Sequence, residues 1–254
     1  MKFKHSRYLY FCAVLVAVLG CDSENSSDCF QAAGSIIQIT VPTEAFTQIQ
    51  IEGEVTLIVE QGPIQEVKIE SGENLLNDVE VVVAGEILII KDTNSCNFVR
   101  DYGITVATVI TPDLKKILNA SSYDVIGRGR LVFPELILQS NTSVVVESPR
   151  KGGDFYMNLA CEELSVFANG QSVFFLSGDV NLGLFRFDDE NPRLEGRHLR
   201  VNKLNVFSRS ANKMIVNPLQ EIRGGILGTG DIISVNRPPL VDVQELFTGK
   251  LIFE

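Results

Sequence analysis

Leu164-Ser165-Val166-Phe167-Ala168-Asn169-Gly170-Gln171-Ser172-Val173 holds a complete structural unit: an apolar alternation, a small polar corner and the start of a second apolar run. Alternation with period 2 is what a strand with one buried face requires. The corner residues suit a tight bend, because glycine tolerates positive φ and Asn and Ser side chains can bond backbone groups that a bend leaves unpaired. The same unit returns upstream at Ile117 to Val125 and Leu136 to Val144. Downstream it returns at Leu204 to Met214, Ile226 to Ile232 and Val243 to Leu251. Corners fall near 121, 141, 170, 190, 210, 230 and 249, a period of about 20 residues with one insertion near Pro149-Arg150-Lys151-Gly152-Gly153.

A period of about 20 residues made of strands, without a long amphipathic helix, predicts an all-β solenoid with that many residues per coil. One coil has too little apolar area to bury alone, whereas stacked coils share a continuous interior of Val, Ile, Leu and Phe. An evenly spaced β-sandwich is the competing arrangement. Residues 36–112 read as short strands with mostly local connections, among them Ile49 to Ile51, Val55 to Val59, Val79 to Val83, Ile87 to Ile90 and Ile104 to Ile110. Ala84-Gly85-Glu86 reads as a hairpin turn and Gln61-Gly62-Pro63 as another. The expected divisions are therefore a strand region at 29–112 and a solenoid region at 113–254.

The N-terminus has a different grammar. Lys2, Lys4, His5 and Arg7 precede a twelve-residue apolar run, Tyr8 to Leu19. That run is shorter than the roughly 20 residues a spanning helix needs, so residues 1–20 read as a cleaved export signal. Gly20-Cys21 matches a lipobox, which makes Cys21 the acylated first residue of the mature chain and the membrane its partner through the lipid. Asp22 to Asp28 then forms a short acidic tether over 21–28. Cys12 leaves with the signal, and three cysteines remain in an oxidising compartment. Cys29 and Cys96 lie in polar surroundings, where a surface disulfide would staple the N-terminal segment. Cys161, in Leu159-Ala160-Cys161-Glu162-Glu163-Leu164, reads as a small core or turn residue rather than a nucleophile.

The chain carries a formal net charge of −10, and without residues 1–20 the balance is 19 basic against 32 acidic residues. Such a surface repels phosphate backbones, so nucleic acid is not expected as a partner. There is no Trp, and beyond the signal the one histidine is His198. That leaves little for a histidine-based metal site or triad. No metal or other cofactor is expected, and no two cysteines have zinc-ligand spacing.

Several stretches carry a family resemblance: Phe46-x-x-Ile49-x-Ile51, Val55 to Gln61-Gly62, Glu73-Asn74-Leu75, Gly85-x-Ile87-Leu88-Ile89 and Cys96-Asn97-Phe98-Val99-Arg100-Asp101-Tyr102. To these are added Thr111-Pro112-x-Leu114-x-x-Ile117 and Gly228-Thr229-Gly230-Asp231-Ile232 with Asn236-Arg237-Pro238-Pro239. On these residues the chain resembles the head-GIN domain family of bacterial lipoproteins, labelled autotransporter-type adhesins, over 29–254 as one unit. The resemblance implies a right-handed parallel β-helix with N-terminal strands packed on it or capping it. It also implies pairing of Cys29 with Cys96 and residence at the outer membrane. The family's Gly-Ser-Gly corners are mostly replaced here, as at Ser121-Ser122 and Asn141-Thr142; Gly228-Thr229-Gly230 keeps the form.

Two clusters stand out as candidate ligand surfaces. Asp188-Asp189-Glu190-Asn191 is the densest acidic corner, readable as a cation or sugar site or as a solvated turn. Arg186, Arg193, Arg197, His198, Arg200, Lys203, Arg209 and Lys213 form a basic-rich region. They read as partners for acids on neighbouring coils or as a cleft for an acidic glycan. Asp188, Asp189, Glu190, Arg197 and His198 are thus the expected ligand-facing residues, with no catalytic residue assigned. Arg100-Asp101-Tyr102 reads as a local lock beside Cys96, and Tyr123, Phe247 and Phe253 as core or cap residues, or as exposed corner aromatics that could stack on sugar rings. The functional expectation is a non-enzymatic, lipid-anchored envelope protein that contacts a glycan or surface protein. The alternative is a carbohydrate-active β-helix enzyme, lyase-like or hydrolase-like, or a glycan-binding accessory protein.

Overall fold

The computed structural model describes residues 28–94, 96–140 and 150–254. The export signal, Cys21, nearly all of the tether and the corner at Asn141-Thr142 lie outside the described residues. Within them the chain is all-β: strands are joined by bends and short turns, with no α-helix. A 17-stranded sheet forms two ladders around a shared core.

Four long strands run through both ladders: β11 (Phe155–Ala168), β12 (Val173–Phe187), β13 (Arg193–Ser208) and β14 (Met214–Ile226). Their first halves pair in one ladder and their second halves in the other. Shorter strands extend both. The remaining rungs, in chain order, begin with β1 (Ile36–Val41), β2 (Gln48–Gly53), β3 (Val55–Gln61), β4 (Glu66–Gly72), β5 (Val79–Ala84) and β6 (Ile87–Asp92). They continue with β7 (Thr105–Thr111), β8 (Lys116–Ser121), β9 (Val125–Val132) and β10 (Glu135–Ser140), then β15 (Ile232–Ser234), β16 (Leu240–Glu245) and β17 (Leu251–Phe253). The first ladder reads β5-β6-β2-β8-β10 and on through β11 to β14 to β16. The second reads β1-β4-β7-β3-β9 and on through β11 to β14 to β15 and β17.

The pairing is parallel throughout except at β1–β4, β4–β7 and β5–β6, so the evenly spaced antiparallel sandwich is not what this chain forms. Phe155 faces Phe174, Val173 faces Arg193, Leu194 faces Met214, Met214 faces Ile232 and Ile232 faces Leu251. Each partner thus lies 18–20 residues further along the chain. Across the insertion the step lengthens to 28–30 residues, as Val125 faces Phe155 and Glu135 faces Glu163. A fixed step keeps inward residues over inward residues, which is why one apolar core extends from Phe46 to Ile232.

The N-terminal strands do not merely sit on an end. β1 and β5 are the outermost strands, but β2 and β3 lie between β6–β7 and β8–β9 in their respective ladders. After the edge strand β1 the chain enters an interior rung through β2 and β3, leaves it through β4 and β5, returns through β6 and β7, and passes over that rung to β8 and β9. Residues 29–112 and 113–254 share both ladders and the core. Alternation within each strand foretells which side chains are buried; it carries no information about this order of partners.

Corners are held by buried serines. Ser121 donates toward the carbonyls of Gly53 (3.1 Å) and Val55 (2.9 Å) and accepts from the backbone N–H groups of Val55 and Tyr123, both at 3.1 Å. Ser210 donates to the carbonyl of Pro192 at 2.7 Å and accepts from the N–H of Asn212 at 3.0 Å. At the bend between the ladders Glu162, Asn181 and Asn202 form a polar column; Asn202 donates to the Asn181 Oδ1 at 2.9 Å, and Asn181 donates to Glu162.

Candidate functional site

The outward side chains of the first ladder line up in rows because the register repeats. One row runs Phe167, Arg186, Phe207, Gly225, Gln244, and the next Ser165, Leu184, Asn205, Arg223, Asp242. Gly225 interrupts its row. A Cβ there would point toward Leu227 Cδ1 at 3.1 Å and Leu246 Cδ1 at 3.9 Å, so the missing side chain leaves a trough between Phe207 and Gln244. Phe167, Leu184 and Leu246 supply apolar walls, and Asn205, Asp242 and Gln244 a polar rim. The resulting groove encloses about 620 Å³. Gly224 beneath it has φ 127°, and a Cβ would stand 1.8 Å from the Val206 carbonyl oxygen, so no larger residue fits the floor.

Arg186 controls one lip. Its guanidinium carbon sits 4.5 Å from the centroid of the Phe207 ring, and its Nε donates to Asp188 Oδ1 at 2.5 Å. A cation held over an aromatic face and tied to a carboxylate is a fixed donor set, not a wandering surface charge. Chemically the groove offers an apolar floor for a C–H face and carboxylate, amide and guanidinium groups for hydroxyls or a carboxylate.

The residues expected to face a ligand are distributed over the coil. Asp188 is at the groove's lip through Arg186. Glu190, with φ 59°, pairs with Lys151 at 2.5 Å, and the Glu190 N–H donates to Asp189 Oδ1 at 2.9 Å. The acidic corner therefore uses its carboxylates on its own turn and on a neighbouring corner. Arg197 and His198 lie away from it, in a bulge of β13 where that strand advances from Glu195 to Arg200 while β14 advances from Ile215 to Asn217. The extra residues turn Arg197 outward, and its guanidinium makes a two-pronged pair with Glu254, one prong at 2.9 Å. Arg200 and Arg130 both pair with Asp179, at 2.7 Å and 2.8 Å. The hydrogen bond from Arg200, helped by the two positive charges, holds the Asp179 carboxyl below the usual carboxylate range. Arg193 pairs with Glu195 on its own strand, and Lys213 reaches Glu195 at 4.0 Å. Among the described residues no group of three or more His, Cys, Asp or Glu side chains could hold a metal ion.

Cys29 and Cys96 are joined. Around them Arg100 donates to the carbonyls of Gln31 and Cys96, both at 3.0 Å, and Tyr102 donates to the carbonyl of Asn97 at 2.9 Å. Tyr123 packs its ring over Gly103, where a Cβ would lie 2.1 Å from the ring, and Phe253 carries Arg237 over its face at 4.7 Å. Of the three corner aromatics only Phe247 stands open, 57% exposed. Cys161 is buried, and burial pushes its thiol up to about 11. Its alkylation by iodoacetamide at pH 8 should run more than tenfold slower in the native protein than after unfolding, since only the thiolate reacts; equal rates would show the thiol to be open to solvent.

Asn205, Gly225, Asp242 and Gln244 attracted no notice in the sequence. The signal that could have found them is positional: they fall in two adjacent rows when outward residues are aligned at the repeat step, and Gly225 is where one of those rows loses its side chain.

A family model described as "Putative auto-transporter adhesin, head GIN domain" matches residues 45–238. The chain belongs to the head GIN domain family. Head GIN membership points to an exported protein of the cell envelope, and the family name to adhesion. No curated protein matches the chain. Among solved structures, a "putative adhesin" from Bacteroides fragilis has the same fold at TM-score 0.78 and 17% identity, over 88% of this chain and 99% of that one. A "putative adhesin" from Parabacteroides distasonis follows at TM-score 0.61 and 12% identity, over 88% and 99%. A "putative lipid binding protein" from the same species has TM-score 0.59 and 13% identity, over 86% and 97%.

Proposed function

We propose that this head GIN protein is a non-enzymatic, lipid-anchored component of the outer envelope, acylated at Cys21, whose lateral groove holds a segment of surface glycan. The parallel strands wind, in this reading, as a right-handed β-helix of about 20 residues per coil; the steady register step of β11 to β17 supports that winding. The observation that carries the glycan reading is the trough at Gly225, apolar along its floor and rimmed by Asn205, Asp242, Gln244 and Arg186. A sugar ring is itself two-sided, with apolar C–H faces and hydroxyl edges, and such a groove matches both. Asp188 contributes by fixing Arg186, and Asp189 and Glu190 belong to the corner beside it; Arg197 and His198 sit on the second ladder, away from the groove.

Gly225→Leu tests the groove directly. The new side chain projects into the trough, where its nearest neighbour is the movable end of Leu227. Binding in a screen of envelope and host glycans should fall at least tenfold while the thermal midpoint stays within a few degrees. Retained binding by the folded variant, or a screen in which only proteins bind, would refute the glycan reading. Cleavage of a polyuronate by the wild-type chain would refute the non-enzymatic one.

A further inference from the structure

We infer that the N-terminal end of the ladders lies flat against the membrane surface through an apolar patch of no net charge, so that the two ladders rise away from the bilayer. The inference rests on the lipid anchor proposed above and goes beyond it, because an anchor alone leaves a domain free to tumble on its tether. Phe98 is 74% exposed, Phe30 and Ile36 54% each, Val99 50%, Ile39 41% and Ile37 37%. Phe30, Ile36, Phe98 and Val99 belong to one surface: the Phe30 and Phe98 ring centroids are 5.7 Å apart, and Ile36, Phe98 and Val99 line one cleft; Ile37 and Ile39 project from the other face of β1, beside its open edge.

β1 pairs with β4 on one side and is an edge on the other, and it is exposed along nearly its whole length. Exposed edges are normally guarded by charge or proline. This one, Ile36-Ile37-Gln38-Ile39-Thr40-Val41, has neither, and residues 29–41 contain no charged side chain on a chain of net charge −10. Residues 96–104 add one Arg and one Asp, which cancel. The patch therefore escapes the repulsion that an anionic bilayer would exert on the rest of the surface, and the headgroup layer can bond the open backbone groups of the edge. Chain length selects the bilayer over other occupants. From Cys21 to Cys29 there are eight peptide steps, at most about 28 Å when fully extended. The disulfide then fixes Cys29 to Cys96, two residues before Phe98. An acylated Cys21 cannot leave this patch far from the lipid.

The absence of Trp makes the test clean. The full acylated chain carrying Phe98→Trp is reconstituted in phosphatidylethanolamine–phosphatidylglycerol vesicles containing a headgroup-spin-labelled phosphatidylcholine. Phe247→Trp serves as the comparison, since it follows β16 at the far end of the first ladder, about 40 Å away at the usual strand spacing. Quenching of at least about twofold for Phe98→Trp, with little for Phe247→Trp, is expected. Equal quenching at the two positions in protein that floats with the vesicles would overturn the membrane face and leave the anchor standing. A concentration-dependent blue shift of the Phe98→Trp emission without vesicles would overturn it in favour of a second copy. Flotation and the mass of the Cys21 peptide report on the anchor separately; an unacylated chain that does not float would remove the anchor and this inference together.

Discussion

Truncating Phe174 to alanine should destabilise the protein by about 3–5 kcal/mol, the range for a fully buried phenylalanine. Phe174 has no exposed surface, stacks on Phe155 at a centroid distance of 4.6 Å and approaches Phe187 at 6.0 Å. The stack on Phe155 crosses from β11 to β12, and the Phe187 contact joins the two ends of β12 across the core, so the cavity would open inside the core, where parallel ladders on both sides hold the backbone and little collapse is available. The neighbouring residue is the control. Phe175 is 38% exposed and stacks on Tyr156 outside the ladder at 4.7 Å. Phe175→Ala should cost about 1 kcal/mol or less, because much of its ring already faces water. Urea unfolding of the two variants decides the matter: equal losses would mean that the inward and outward assignment of β12 is wrong, and with it the register from β11 to β14.

Removing the disulfide with the double variant Cys29→Ser/Cys96→Ser should cost up to about 4 kcal/mol in the chain-entropy account. The bridge closes a separation of 67 residues, which the unfolded chain would otherwise explore freely. Without it the N-terminal segment is held by hydrogen bonds, among them Gln31 donating to the Asn74 carbonyl at 2.7 Å, Asn74 donating to the Ala32 carbonyl at 3.0 Å and the Phe98 N–H donating to the Cys29 carbonyl at 2.9 Å, and by the β1–β4 pairing. Amide exchange should therefore accelerate first in β1 and β4 and last in β12 and β13. A variant whose unfolding midpoint and β1 exchange both match the parent would show that the bridge constrains nothing.

The inward face of nearly every strand was readable from alternation: Val166, Phe174, Phe185, Leu194, Val206 and Ile222 sit where period 2 puts them, each no more than 2% exposed. Corner chemistry was readable as well, since Ser121 and Ser210 bond backbone groups in the manner their residue type predicts. The first is a local property, since a side chain's face depends on its immediate neighbours in sequence; the second is local only in residue type, since the carbonyls that these serines bond, Val55 and Pro192, lie 66 and 18 residues away. The repeat step reaches further, because identical units at a constant interval leave each rung one natural neighbour.

Where that interval fails, the sequence was silent. β4 and β5 interrupt the spacing, so nothing in residues 36–112 announces that β2 and β3 lie inside the ladders between strands that follow them in the chain. Arg197 and His198 were expected to face a ligand together with Asp188, Asp189 and Glu190. A bulge in β13 instead sends Arg197 to Glu254, 57 residues away. From its sequence alone this chain is an all-β repeat with buried alternate residues and serine corners, because each of these follows from local pattern. Strand order, the bulge and the groove at Gly225 belong to the tertiary structure. They depend on which distant segments share hydrogen bonds, and a strand's own residues state that it will pair without stating with whom.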